Sequence, residues 1–230
     1  MALRAIFYDT ETTGIRSDKD RIIEIAAYDP ALDRRFESFV NPGITIPPEV
    51  TAIHGINDEM VASAPAFAQV ALEFTKFCEG DTVLIAHNND NFDVHFLRNE
   101  YLRHQVEIPT WKFLDSLKWA RRYRPDLPRH TLQFLREIYG ITANNAHRAF
   151  DDVIVLHQIF SRMIDDLSID DVFALLNKPR ALQHMPFGKH QGVPLSQIPK
   201  SYIQWMAGSG AFDKPENREL KDAFARLGLL

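Results

Sequence analysis

Two periods of hydrophobicity run along this chain, and they predict its elements. Leu3 to Tyr8 is a short apolar run of the kind that forms a buried strand. Arg21 to Tyr28 and Phe36 to Val40 read as a second and third strand, and the short turns between them predict an antiparallel meander. Pro42-Gly43 and Pro47-Pro48 punctuate a loop. Phe67, Val70, Ala71, Phe74 and Phe77 then recur at helical spacing over 67–78, and Thr82 to Ala86 is another strand. Helices are predicted over 92–102, 113–123 and 131–139, the last stopped by Gly140, and over 150–165. Strands first, then helices mixed with strands, predict an α/β domain with a mixed sheet flanked by helices.

The pattern weakens over 167–179, which is the expected boundary. It separates a domain over 1–168 from a small module over 180–230 with its own glycine turns at 188, 192, 208 and 210. A piece that short is marginal as an independent fold.

Composition adds little until charge is divided along the chain. The 230 residues are 45% hydrophobic and 25% charged, enough for a core. Cys78 is the single cysteine, so no intrachain disulfide can form, which fits a reducing, cytoplasmic location. The opening residues lack a signal-peptide pattern, and no apolar run is long enough to span a membrane. The net charge of −5 hides a split: 18 Lys+Arg against 27 Asp+Glu over 1–175, and 8 against 4 over 176–230. An acidic body suits a cation site, and a basic tail suits a polyanion.

Three clusters carry candidate chemistry. In Tyr8-Asp9-Thr10-Glu11-Thr12-Thr13-Gly14, Asp9 and Glu11 lie two apart on a strand and point to one face. Like charges about 4 Å apart repel by about 4 kcal/mol at an effective dielectric near 20, so either a proton or a hard divalent cation belongs between them. In His87-Asn88-Asn89-Asp90-Asn91-Phe92-Asp93, Asp93 opens a helix anchored by Phe92, Phe96 and Leu97. In His147-Arg148-Ala149-Phe150-Asp151-Asp152, His147 and Asp152 would stand about 140° apart on one helix, so they share a site only if the helix starts after His147. Arg121, Arg122, Arg124 and Arg129 form a basic run whose ordinary role is a solvated face, with phosphate contact as the alternative.

Asp-x-Glu after the first strand, Phe-Asp at a helix start and His-x-Ala-x-x-Asp before a late helix, in that order, resemble the DEDD exonucleases. The match is to their histidine-containing branch, typified by the proofreading subunit of bacterial DNA polymerase III, and covers about residues 3–165. The resemblance implies a ribonuclease H-like fold and a 3′–5′ exonuclease releasing nucleoside 5′-monophosphates. Asp9, Glu11, Asp93 and Asp152 would hold two divalent ions, Mg²⁺ or Mn²⁺, with Asp9 bridging, and His147 would be the catalytic histidine. It places Thr12, Thr13 and His54 near the terminal nucleotide, and Phe92 either near the bases or in the core. Relatives usually have four residues between the histidine and the aspartate where this chain has five (His87 to Asp93), which makes Asp90 the alternative to Asp93. The segment Phe187-Gly188-Lys189-His190-Gln191-Gly192 is similar to one that follows the nuclease domain in exonuclease X-like proteins, with Lys189 as a candidate phosphate contact.

The expected partner is DNA at its 3′ end, in repair or proofreading. The alternatives are an exoribonuclease on RNA ends, and a polymerase-associated or non-catalytic nucleic-acid-binding subunit; no membrane partner is expected.

Overall fold

The computed structural model describes residues 3–142, 148–178, 182–214 and 217–230. The chain divides into two compact units, Met1–Ala174 and Leu175–Leu230.

The first unit is built on the predicted meander. β1 (Arg4–Thr12), β2 (Ile22–Asp29) and β3 (Arg34–Phe39) pair antiparallel, and β4 (Thr82–Ala86) and β5 (Lys112–Asp115) join parallel in the order β3-β2-β1-β4-β5. β1 and β4 are buried along most or all of their length because helices cover both faces of the sheet. Between β3 and β4 lie α1 (Pro48–His54), α2 (Asp58–Val61) and α3 (Phe67–Phe77); then come α4 (Asp93–Arg103), α5 (Ser116–Tyr123), α6 (Leu132–Ile138), α7 (Ala149–Ile164) and α8 (Ile169–Asn177).

Residue parity sorts the helices between the faces. Ile6, Tyr8, Leu84 and Ala86 share a core with Phe67, Phe74, Phe96 and Tyr101 of α3 and α4. Phe7 points the other way, edge-on to His157 and Phe160 of α7. α5, α6 and α7 join on that second side through Ala120, Leu135, Val155 and Ile159. Burying these clusters is the main favourable term for the unit, at about 25 cal/mol per Å² of apolar surface removed from water.

One sequence expectation needs correction. Residues 113–123 are not one helix: 112–115 form the edge strand β5, and Asp115 ends it by accepting hydrogen bonds from the Leu117 and Lys118 amides, the N-cap of α5. The division between the two units falls after Ala174, within the expected boundary over 167–179, and inside a helix the sequence reading did not name, α8, started by Ser168, whose hydroxyl accepts from the Asp171 amide. The second unit has its own core of Met185, Leu195, Ile198, Ile203, Met206, Leu220 and Phe224, built on α9 (Lys200–Gly208) and α10 (Arg218–Arg226). No helix among the described residues is long and apolar enough to cross a membrane.

Candidate active site

β1 outruns β4, and the site begins there. Their pairing ends at Phe7–Ile85, while β1 continues against β2 to Thr12. Past that point Asp9 and Glu11 project on the α7 side, where Asp152 meets them from the first turn of that helix. Carboxylate oxygens of these three residues lie within 4.8 Å of one another. Asp93 arrives from the opposite side on α4; it is buried and accepts a 2.8 Å hydrogen bond from the Thr10 hydroxyl, on the other face of β1 from Asp9. A concentration of carboxylates outside the carboxyl ends of parallel strands is the usual address of a site in an α/β sheet.

The electrostatics are those of carboxylates crowded together in a buried site. Burial, then Asp93, Glu11 and Asp152, hold the Asp9 carboxyl well above the ordinary range. Burial, then the charges of Glu24, Asp152 and Asp93, push Glu11 up to about 8 against the pull of Arg148. Burial raises Asp93 to about 7 despite the Thr10 hydrogen bond. Each oxygen is a hard donor in a cluster that is costly when fully ionised, so the residues fit hard divalent ions.

The extra residue between His87 and Asp93 is absorbed before α4. Asn88 takes a left-handed conformation (φ 68°) and 89–91 form a single 3-10 turn. Two side chains lock this loop. Asp115 accepts from the Asn88 and Asp90 amides at 3.0 and 3.2 Å. Asn89, fully buried, donates to the Leu84 and Leu114 carbonyls and accepts from the Tyr8 hydroxyl. Asp90 is left exposed, paired with Lys118 at 3.2 Å, while Asp93 faces β1.

The other candidates are distributed as follows. α7 starts at Ala149, with Arg148 still extended, so the helix begins after His147, which itself lies outside the described residues. The Thr12 hydroxyl donates to the Gly14 carbonyl, and that of Thr13 accepts from the Arg21 amide, so both stabilise the turn leaving β1. His54 ends α1, buried, its Nδ1 accepting from the Ile56 amide. Phe92 packs against the core, 4.8 Å from the Phe96 ring. Lys189 is exposed in the second unit.

Sequence reasoning missed Glu24. It pairs in register with Glu11 across β1 and β2 and is buried, its oxygens accepting from the Arg148 guanidinium at 3.1 Å and the Ala149 amide at 3.2 Å. It therefore ties the start of α7 to the sheet one turn before Asp152. The one available signal was a charge inside the otherwise apolar strand Arg-Ile-Ile-Glu-Ile-Ala-Ala-Tyr.

Residues 6–160 match the family model for Exonuclease (RNase_T), and residues 178–219 match a second model, named for quorum-sensing-regulated virulence factors. The chain is 40% identical over 164 residues to the DNA polymerase III subunit epsilon of Treponema pallidum, covering 68% of this chain and 74% of that protein. Among solved structures, the zinc-bound exonuclease I–ssDNA complex of E. coli superposes with a TM-score of 0.65 at 23% identity, over 76% of this chain and 43% of that one. Exonuclease X in complex with 5′ overhanging duplex DNA superposes with a TM-score of 0.59 at 21% identity, over 75% of this chain and 99% of that one. The structural likenesses carry the ribonuclease H-like fold, the family match covers the strands and helices that bear the carboxylates, and the chain belongs to the DEDD-type 3′–5′ exonucleases, a family that needs divalent metals.

Proposed function

We propose that this protein hydrolyses the terminal phosphodiester bond at DNA 3′ ends, releasing nucleoside 5′-monophosphates. The observation that carries the reading is the approach of Asp9, Glu11 and Asp152 to within 4.8 Å, with Asp93 beside them across β1. On this reading those four residues hold two Mg²⁺ or Mn²⁺ ions, which supply charge neutralisation at the scissile phosphate and orient the attacking and leaving oxygens. The remaining chemistry belongs to the chain. His147, just ahead of α7, accepts the proton of the attacking water as a neutral imidazole, a role suited to a side chain with an unperturbed pKa near 6.5. Thr12, Thr13 and His54 grip the terminal nucleotide through the backbone of the turn leaving β1 and of the loop after α1. The domain over 1–168 performs the cutting, and the basic module over 180–230 adds a second nucleic-acid contact through Lys189, with an exposed Trp205 in the same module offering a stacking face. Polymerase association rests on the names of relatives, the Treponema epsilon subunit and PolC-type DNA polymerases III, and our reading is of an enzyme that acts unaided on the ends it meets.

The test uses 5′-labelled single-stranded and duplex DNA and matched RNA, with Mg²⁺, Mn²⁺ or EDTA, beside an Asp9→Ala control. A metal-dependent ladder shortening from the 3′ end, absent in the control, supports the reading. RNA degraded faster than DNA reassigns the substrate, and a folded protein that yields no ladder overturns the activity.

A further inference from the structure

The basic run of 121–129 does not act as one patch. Arg124 is held by Asp126 (2.9 Å) and the Tyr139 hydroxyl, and Arg122 stacks over Tyr123. Arg121 and Arg129, eight positions apart, instead converge on one cleft of about 540 Å³ between the end of β4 and the turn entering α6. His87, Asn88, His130 and Thr131 complete its polar lining, and no carboxylate contributes to it. Neither arginine forms an ion pair among the described residues. In a body with a surplus of acidic residues, two uncommitted guanidiniums facing a cleft without acids make a site for an anion.

The cleft is built rather than incidental. His87 links its walls: one ring nitrogen meets the Ser116 hydroxyl and the other the His130 carbonyl, each at 2.8 Å. The carbonyl can only accept, so Nε2 carries the proton and Nδ1 accepts from Ser116. Burial lowers the His87 pKa to about 4, so this ring is a neutral strut and the arginines supply the charge. Both walls run to the carboxylates. On one side Asn88 starts the loop that delivers Asp93. On the other, Leu132 lines the cleft while its neighbour Gln133 lies 3.4 Å from an Asp152 oxygen.

We infer that this cleft binds an internal backbone phosphate of the strand whose 3′ end is being cut. The inference rests on the exonuclease reading for its ligand; the geometry alone indicates an anion site. Arg121 and Arg129 present planar donor forks, and guanidiniums at this place would hold the strand in register after each nucleotide departs.

The experiment compares the wild-type chain with Arg121→Gln, Arg129→Gln and the double variant on two substrates: a dinucleotide, whose one phosphate is the scissile one, and a long single strand. The double variant should lose about tenfold in kcat/KM on the long strand, the scale of hydrogen bonds to a charged group, and stay within about twofold on the dinucleotide. Strand binding in EDTA, followed by fluorescence anisotropy against salt, should show a slope shallower by about 0.7, the loss of one phosphate contact on a single strand. Arg121→Lys and Arg129→Lys, which keep the charge, should restore most of the slope. Equal losses on both substrates, or an unchanged slope, would overturn the inference. An unchanged kcat/KM on the long strand would also overturn it, by leaving the cleft outside the path of the strand being cut. If the wild-type chain cuts neither substrate, the exonuclease reading fails separately, and the binding arm still decides the cleft.

Discussion

Arg148→Met is expected to unfold this protein far more readily than Glu24→Gln, although the two residues form one pair. The Glu24 side chain is 1% exposed and that of Arg148 40%. Removing the guanidinium leaves a buried carboxylate facing Glu11 with its main compensation gone. Breaking a buried pair this way costs about 3–5 kcal/mol, and the exposure of Arg148 discounts that to about 1–3 kcal/mol. Glu24→Gln removes the charge itself: the amide oxygen can still accept from the Ala149 N–H, and the repulsion on Glu11 is relieved, so the net cost should stay below about 1 kcal/mol. The double variant should therefore resemble Glu24→Gln, giving a coupling energy as large as the Arg148→Met cost, about 1–3 kcal/mol, in a urea-unfolding cycle. The pH dependence sharpens the test. Glu11 and Glu24 both titrate above their ordinary range, so the folded state holds protons that the unfolded chain releases. The penalty is absent below about pH 4.3, grows as pH rises, and for Glu11 is complete only above its folded value near 8. The Arg148→Met deficit should then be small at pH 5 and full at pH 8.5 in EDTA. Additive losses that ignore pH would refute the reasoning and make Arg148 a packing residue over the Phe39 ring.

Other predictions follow from the same geometry. The metal-free wild-type protein should lose stability as pH rises from about 4.5 to 8, because Asp9, Glu11 and Asp93 all titrate upward-shifted in the folded state; Mg²⁺ should abolish that slope in thermal melts. Asn89→Ala should cost about 2–3 kcal/mol by chemical denaturation, since it strands two carbonyls and the Tyr8 hydroxyl in the core. His147→Ala should lower turnover by orders of magnitude with strand binding nearly intact, and an equal loss of affinity would remove it from the proton transfer. Lys189→Gln should weaken binding a few-fold and flatten its salt dependence without touching the rate on a dinucleotide.

The elements that were legible in the sequence are those whose burial pattern follows from one face. The meander showed itself because β1 and β2 are apolar runs between short turns, and α3 because Phe67, Val70, Ala71, Phe74 and Phe77, at helical spacing, are the residues it buries. β5 was hidden because four residues are too few to show a period, and because the helix that follows at once extends the apolar spacing backward through Phe113 and Leu114. Asp115 was the overlooked stop signal, a carboxylate directly before a helical run. α8 was overlooked for a related reason: Ser168 and the acidic first turn resemble a linker until the cap is seen.

The carboxylates were legible because short-range rules place them. Alternation along a strand puts Asp9 beside Glu11, and a helix start puts Asp93 in its first turn. What supports them depends on partners far away in sequence, so the sequence hides it: Glu24 acts on residues 124 and 125 positions away, and Asp115 secures a loop 25 to 27 positions back. The extra residue before Asp93 is the clearest case. An insertion beside a site ought to shift the carboxylate that follows it. Here the left-handed Asn88 and one 3-10 turn take up the length, and the Asp115 and Asn89 hydrogen bonds fix the exit, so Asp93 still reaches Thr10 while Asp90 turns to solvent. The same bonds make the near wall of the arginine cleft. If the cleft takes the strand as proposed, the loop that carries the extra residue also forms part of its wall.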